Sequence, residues 1–258
     1  GVMVRALQYG KPFDGTIFTL PYDATLVADG QVNEGVYSVE TGMRGVSNLS
    51  ESIQIQRDIE LLKYTGGKIH FFGISTKEGI QLIRNAKNEG LNISASVFPH
   101  HLFLTDKSVI DFDANYKVMP PLRSENDQQA LIDAVLDGTI DAIVSQHTPL
   151  EIEAKELEFE YATFGIIGLE TAFALANTAL NSIVEPTQLV DLFSVNPRKN
   201  IKKTLPPIEK GSIANLSIFS LNKDWIFEQK NIKSKSKNTP FVGTKFKGAI
   251  KGIFHKGK

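Results

Sequence analysis

Short β-rich runs alternate with helical stretches over the first 185 residues, and this alternation constrains the fold more than any other feature of the sequence. It is the pattern expected of parallel α/β architecture. The predicted strands lie at residues 15–20, 68–74, 93–98 and 140–145, and the predicted helices at 50–64, 76–88, 128–136 and 168–181. The sequence therefore predicts four strand–helix units.

The pattern changes after Pro186. One more helix is predicted at residues 187–194, and Asn196-Pro197-Arg198 ends it. Short β-rich runs separated by Gly, Asn and Pro then follow at 214–219, 241–246 and 250–254. These runs indicate a small antiparallel unit, so we expect two domains, residues 1–195 and 196–258.

Composition excludes several classes of protein. The chain has 258 residues, 41% of them hydrophobic, which is enough for a large core. It has no cysteine, so disulfides, thiolate zinc sites and a cysteine nucleophile are excluded, and a reducing cytoplasm is expected. No apolar run of about 18 residues predicts a membrane helix. Residues 1–7 read as the middle of a helix, so we expect no signal peptide and a chain that begins inside a fold.

Charge is unevenly distributed. After residue 200 there are 13 lysines and 3 acidic residues, so the preceding part carries a net charge of about −11. A basic tail can bind nucleic acid or another anionic partner. No aromatic and arginine pattern accompanies these lysines, so a solvated surface is the favoured interpretation and no nucleic acid is expected.

The only candidate metal ligands at the ends of the predicted strands are His100, His101 and His147, and none of the five histidines of the chain forms a His-x-His or His-Glu-x-x-His motif. His100 and His101 are predicted to extend a strand, where adjacent side chains point to opposite faces, so at most one would face the interior. His147 could act as a general base, because an imidazole titrates near neutral pH. Its neighbours Gln146 and Leu150 provide no charge to orient it, which favours a structural role.

Other candidate motifs are weaker. Five glutamates between Glu151 and Glu160 could bind a cation, but such a run is more often a solvated surface. Residues 165–168 lack the strand and helix context of a dinucleotide site, and Gly66-Gly67-Lys68 precedes a strand, so it forms no phosphate loop. No nucleotide cofactor is predicted.

Several motifs together resemble the class I dihydroorotases of the amidohydrolase superfamily. The resemblance runs in order along almost the whole chain. The matching segments are Pro99 to Asp106, Tyr116 to Arg123, Asp137 to Ile143, Phe164 to Thr171, Asn33-Glu34-Gly35, Ile74 to Glu78, and Asn238 to Phe241.

The resemblance implies a fold and an activity. The family hydrolyses or closes the dihydroorotate ring in pyrimidine biosynthesis, on a distorted (β/α)8 TIM barrel of the metallo-dependent hydrolase type. Residues 1–195 correspond to the second half of that barrel, and residues 196–258 to a small C-terminal β-sandwich unit. The family's N-terminal half, with its His-x-His ligands and bridging carboxylate, is absent. We expect earlier residues or a partner to cover the exposed sheet edge and apolar face.

The chain departs from the family at its functional positions. Two metal-binding histidines of the family fall on Leu20 and Gly73, which have no ligand atom. The essential aspartate falls on Gln146, whose amide cannot accept a proton at neutral pH. Two substrate-contacting residues fall on Met119 and Leu150. The sequence therefore predicts no catalytic and no metal-binding residue at these positions.

Three functions remain open. The first is a catalytically inactive dihydroorotase homologue, without a cofactor, that has a structural or assembly role. The resemblance suggests aspartate transcarbamoylase as its partner, and a homo-oligomer is expected. The second is an active dihydroorotase that binds zinc through ligands in the missing half and through His100 or His147. The third is a small-molecule binding protein, whose pocket Met119 and Leu150 would make more apolar.

Overall fold

The computed structural model describes residues 1–257. Its strands are β1 (Thr16–Thr19), β2 (Val32–Asn33), β3 (Gly45–Val46), β4 (Lys68–Phe71), β5 (Ile93–Val97), β6 (Ala142–Ile143), β7 (Leu216–Ile226) and β8 (Lys245–Phe254). Its α-helices are α1 (Val2–Gly10), α2 (Ala24–Val27), α3 (Val36–Thr41), α4 (Leu49–Thr65), α5 (Lys77–Asn88), α6 (Pro99–Phe103), α7 (Glu125–Leu136), α8 (Ala172–Ala179), α9 (Pro186–Val190) and α10 (Asn196–Asn200).

Four of the strands form one parallel sheet in the order β1-β4-β5-β6. Phe18 lies opposite His70, which lies opposite Ser94. Residues paired in parallel strands point to the same side, and neighbours along a strand point to opposite sides. The register therefore divides the sheet into two faces.

One face packs against the helices and forms the main core. Ile69, Phe71, Ala95 and Val97 lie on this face and are at most 1% exposed. The helices above them begin at good capping residues. At the start of α5, for example, Thr76 Oγ1 accepts a hydrogen bond from the amide of Gly79. The sequence thus builds this side of the sheet from strand alternation and helix caps.

The opposite face, here called the inner face, is only partly covered. It consists of Phe18, Leu20, His70, Phe72, Ser94, Ser96 and Phe98. Phe98 is 1% exposed, whereas Phe18 is 48% and Leu20 is 38% exposed. Phe18 belongs to β1, an edge strand, and Leu20 directly follows it, so the inner face is open on the β1 side.

The C-terminal strands β7 and β8 form a long antiparallel ribbon. It packs against α8, where Asn177 Nδ2 donates to the carbonyls of Leu221 and Lys247. Phe173 of α8 also contacts Phe219 of the ribbon, with ring centroids 5.1 Å apart. Phe246 of the ribbon also contacts Phe103 of α6, with ring centroids 6.0 Å apart, so two helices anchor the ribbon to the α/β part.

The four predicted strand–helix units are confirmed, but several boundaries differ; β6, for example, spans only Ala142–Ile143. The prediction that Asn196-Pro197-Arg198 ends a helix was wrong, because the chain is helical from Pro186 to Asn200. The helix predicted at 168–181 begins only at Ala172, because Ile166 is held in a parallel bridge with His147, its carbonyl accepts from Thr148 N at 2.8 Å, and residues 169–171 form a turn. The strand predicted at 241–246 begins only at Lys245, because the chain turns at Gly243, where φ is +88°. The domain boundary after residue 195 stays a prediction.

Two further sequence expectations concern the termini and membranes. Residues 2–10 are helical, as the first residues of the chain predict. Within residues 1–257, no helix has the length and apolar character needed to cross a membrane.

Candidate functional site

The three positions aligned with family metal ligands or the essential acid lie at one edge of the sheet. Leu20 follows β1, Gly73 follows β4, and Gln146 follows β6. In α/β barrels the carboxyl ends of parallel strands form the active-site edge. The structure therefore places these three positions where a site would be built, although none of them supplies a carboxylate or an imidazole.

Gln146 is held by the backbone beside it. Its Nε2 donates to the carbonyl of Met119, so two of the predicted altered positions meet at this point. Its Oε1 is buried and has no hydrogen-bond partner among the described residues. Gln146 also has a φ of +48°, which is uncommon for a residue with a side chain. The amide therefore bridges two loops at the active-site edge.

His100 and His101 lie on α6 and not on a strand, so the prediction that they point to opposite faces of a sheet was wrong. Pro99 at the first turn favours the helix. Both imidazoles are 2% exposed, and their ring centroids are 4.6 Å apart. The Nε2 of His101 faces the carbonyls of Pro120 and Pro121 at 3.2 and 3.1 Å and must carry the proton. The Nε2 of His100 and the Nδ1 of His101 have no partner among the described residues.

A continuous series of rings crosses the inner face and ends at these histidines. We call it the aromatic row, and its members are Phe18, His70, Phe72, Phe98, His100 and His101. Successive ring centroids are 4.8, 6.4, 5.3, 5.7 and 4.6 Å apart. Ring packing, with no carboxylate among its members, therefore fills the space in front of the strand ends.

Burial keeps the three histidines of the row neutral. Loss of solvation lowers the pKa of His70 and that of His101 to about 4. It also lowers the pKa of His100 well below its usual value, although the nearby Gln146 side chain opposes this effect. His70 places its ring nitrogens against the hydroxyls of Ser94 and Ser96, at 2.7 and 3.0 Å.

These shifts predict that acid destabilises the protein. Between about pH 6.5 and about pH 4 the unfolded chain binds protons at these imidazoles that the folded chain does not bind, so the free energy of unfolding rises with pH in this window. Each imidazole contributes up to about 1.4 kcal/mol per pH unit. Denaturant unfolding at a series of pH values measures this slope.

The matched variants are His101→Gln and His255→Gln. His101→Gln removes one buried imidazole and keeps a donor for the two carbonyls, so we expect the slope to fall by about one proton. His255 is exposed, so His255→Gln is the matched control in which no buried imidazole is removed. Equal slopes in all three proteins would contradict the burial of neutral imidazoles.

His147 is oriented by the backbone. Its Nδ1 accepts from the amides of Gly168 and Leu169 at 3.2 and 3.4 Å, and the residue forms a parallel bridge with Ile166. These contacts occupy one ring nitrogen in local structure. The structural role predicted for His147 agrees with them and stays a prediction.

Leu150 lies apart from the other altered positions. It lines a cavity of about 550 Å³ together with Lys155, Lys237 and Asn238, and Met119 does not line it. Of the two predicted substrate positions, only Leu150 lines this cavity. The acidic run beside this cavity is solvent-exposed at all five of its glutamates, as the sequence predicts.

The side chains present do not fit a hydrolytic metal centre. Such a centre needs several converging imidazole and carboxylate ligands. Within residues 1–257 no three His, Asp or Glu side chains are grouped so that they could hold a metal ion. The unpartnered atoms near the strand ends belong to two neutral imidazoles and one amide. Two imidazoles and an amide, without a carboxylate, fall short of the ligand set that such a centre needs.

Sequence reasoning missed a buried polar network beside this site. Arg123 is 3% exposed and donates to Ser75 Oγ, Asn33 Oδ1 and Val46 O. The carboxylate of Glu51 accepts from the amides and hydroxyls of Ser75 and Thr76. Three of the segments that carry the family resemblance supply these groups, so in this chain they build the scaffold around the strand ends.

A second set of family-like segments meets around Asn238. Its side chain accepts from the amide of Leu150 and donates to the carbonyl of Thr148. Its carbonyl accepts from the amide of Ile167. Asn238 lies in the connection between β7 and β8 and thereby fixes this connection to the loop after β6.

Comparison with known proteins agrees with this architecture. No protein-family model matches the chain. The chain is 40% identical to a dihydroorotase of Caldanaerobacter subterraneus and 41% identical to one of Elusimicrobium minutum. Both matches cover the whole of this chain. It spans about 60% of the length of these curated relatives.

Solved structures show the same fold. The chain superposes over 99% of its length on a D-hydantoinase, with a TM-score of 0.83 at 19% identity, and on 59% of that chain. For an L-hydantoinase from Arthrobacter aurescens the TM-score is 0.82 at 23% identity, with 99% of this chain and 60% of that chain covered. The chain is thus similar to dihydroorotases along its entire length, and it has the α/β fold of the hydantoinase structures.

Proposed function

We propose that this chain is part of a dihydroorotase-like protein of pyrimidine biosynthesis that lacks dihydroorotase activity and has a structural or assembly role. Homology to dihydroorotases over the entire chain supports the family. The residues at the strand ends support the loss of activity. According to this proposal, the chain retains the scaffold of the family and lacks its catalytic residues.

One observation carries this proposal. At the shared edge of the sheet, Leu20 and Gly73 offer no ligand atom, and the amide of Gln146 is hydrogen-bonded to the Met119 carbonyl. An amide cannot act as the general base that activates water. Ligands supplied by a missing half would still lack these three partners.

We also propose that residues 1–195 form the second half of a (β/α)8 barrel and that residues 196–258 form a composite β-rich domain. The open inner face supports this arrangement, because Phe18 of the edge strand and Leu20, which directly follows it, are exposed apolar side chains. The relatives contain a further segment that this chain does not span. In the full-length protein, the equivalent segment would cover these two side chains.

Assembly is the proposed role of the intact protein. Aspartate transcarbamoylase is the proposed partner, together with self-association into a homo-oligomer. Co-purification of the two full-length proteins, followed by mass determination of the complex by light scattering, tests this partner. Two separate peaks at micromolar concentration would reject it.

The loss of activity is tested by turnover. We expect the full-length protein, with or without added zinc, to open or close the dihydroorotate ring at less than about one thousandth of the rate of a curated dihydroorotase relative. That relative serves as the positive control in the same assay. Turnover within tenfold of the relative would reject the proposal and favour the active, zinc-dependent alternative.

A variant sharpens this test. Gln146→Asp restores the carboxylate at a position whose positive φ aspartate tolerates. We expect no gain in turnover, because Leu20 and Gly73 remain without ligand atoms. If a residual metal site existed, the restored acid would raise the rate by about 10²- to 10⁴-fold, and Gln146→Asn would not.

A further inference from the structure

The backbone of Gly73 lies directly against the ring of Phe98. A Cβ built on Gly73 would lie 2.3 Å from two atoms of that ring. Real side chains do not approach this closely, so a residue larger than glycine at position 73 requires Phe98 to move. Gly73 also has a φ of +73°, a conformation that side chains rarely adopt.

Phe98 has little freedom to move. Its side chain is 1% exposed and lies between Phe72 and His100, with ring centroids 5.3 and 5.7 Å away. The contact to His100 is a stack with an interplanar angle of 20°. In an interior packed this closely, displacing the ring would disturb the rest of the aromatic row.

Other glycines separate the two reasons for which Gly73 must be glycine. Gly90 and Gly138 have φ values of +81° and +78°, close to that of Gly73. A Cβ at either of them would meet no atom within 4 Å. The backbone conformation is therefore shared, and the collision with a buried ring distinguishes Gly73 from these two.

We propose that the Phe98 ring occupies the space of the side chain that the family resemblance places at position 73, so that positions 73 and 98 are coupled and the site is closed by packing. A histidine restored at position 73 alone cannot rebuild a ligand site. This inference deepens the proposed function and rests on it for the meaning of position 73. Its test measures stability and zinc uptake without any assay of turnover.

The first experiment compares four variants of the full-length protein by thermal unfolding: Gly73→Ala, Gly90→Ala, Phe98→Ala and the double variant Gly73→Ala/Phe98→Ala. Both glycine variants carry the strain of a positive φ. We expect Gly73→Ala to lower the Tm by about 5 °C more than Gly90→Ala, because only Gly73→Ala meets the ring. The loss of Tm in the double variant should be clearly smaller than the sum of the losses in the two single variants.

The second experiment measures zinc in Gly73→His and in Gly90→His after dialysis against zinc. We expect Gly73→His to be less stable than Gly90→His and to take up no more zinc. If Gly73→His does not fold, recovery of folding in Gly73→His/Phe98→Ala supports the coupling.

The coupling would be overturned by any of three results. The first is an equal Tm loss in Gly73→Ala and Gly90→Ala. The second is strict additivity in the double variant. The third is a Gly73→His protein of native stability that binds zinc stoichiometrically. Turnover in the native protein would reject the proposed function without changing the stability comparison, so the two failures are distinguishable.

Discussion

Replacement of Arg123 by methionine is expected to lower the free energy of unfolding by about 3–5 kcal/mol. Arg123 is buried, and the nearby carboxylates of Glu51, Asp127 and Asp106 act on its guanidinium through their charge. These three groups are themselves at most 6% exposed. Without the arginine they keep the cost of burial and lose their compensating charge. Urea unfolding of the full-length protein measures the loss.

Two further variants test the cause. Arg44→Met removes an arginine from an exposed pair with Asp29 and should cost less than about 1 kcal/mol. Glu51→Gln combined with Arg123→Met removes one of the uncompensated charges. The double variant should therefore lose less free energy of unfolding than the sum of the losses in its two single variants. A loss for Arg123→Met no larger than that for Arg44→Met would mean that the buried network contributes little to stability.

The second large effect is expected for Gly168→Ala, with a loss of about 3 kcal/mol in the free energy of unfolding. A Cβ on Gly168 would lie 1.9 Å from the carbonyl oxygen of Ser145. The obstacle is backbone, which cannot rotate away as a flexible side chain can. Its displacement would also break the contact between the Gly168 amide and His147 Nδ1. Chemical denaturation gives the loss directly.

Gly252→Ala is the matched control for this prediction. Gly252 lies in β8, and a Cβ there would meet no atom within 4 Å, so its replacement should change stability by less than about 1 kcal/mol. Similar losses in the two variants would show that the close approach of residues 145 and 168 relaxes at little cost.

Much of the fold follows from local patterns in the sequence. Apolar and polar residues alternate along the strand Ile93–Val97, and the helix Lys77–Asn88 begins after a threonine that caps it. These elements depend on neighbours in the chain, and their positions are confirmed. The helix at Ala172–Ala179 starts later than predicted, because tertiary contacts hold Ile166 in a parallel bridge with His147. A pattern of apolar residues does not report such contacts.

The candidate site is harder to predict because its contacts join distant segments. Through the family resemblance alone, the sequence identifies Leu20, Gly73 and Gln146 as positions without an imidazole or a carboxylate. It gives no sign that Phe98 fills the space beside Gly73, since 25 residues separate them and the contact arises from neighbouring strand ends. A glycine after one strand and an aromatic residue after the next predict a contact only when the two strands are known to be neighbours in the sheet.

The segments shared with dihydroorotases divide by what their side chains contact. Arg123, Ser75 and Asn33 hold one another in a buried network, and Asn238 fixes the loop after β6. These residues retain structural partners in this chain. The resemblance assigns the family's reactive residues to Leu20, Gly73 and Gln146, where this chain has no ionisable group; Gly73 packs against Phe98, and Gln146 donates to the Met119 carbonyl. This contrast is the physical basis of the proposal that the chain retains the family scaffold and lacks the activity.

Zinc content is the most direct test of the central claim that the site holds no metal. The full-length protein, purified without chelator and dialysed against zinc, should contain far less than about one zinc per chain, and a curated dihydroorotase relative serves as the positive control. Stoichiometric zinc in the purified protein, lost on replacement of His100 or His147, would contradict the account.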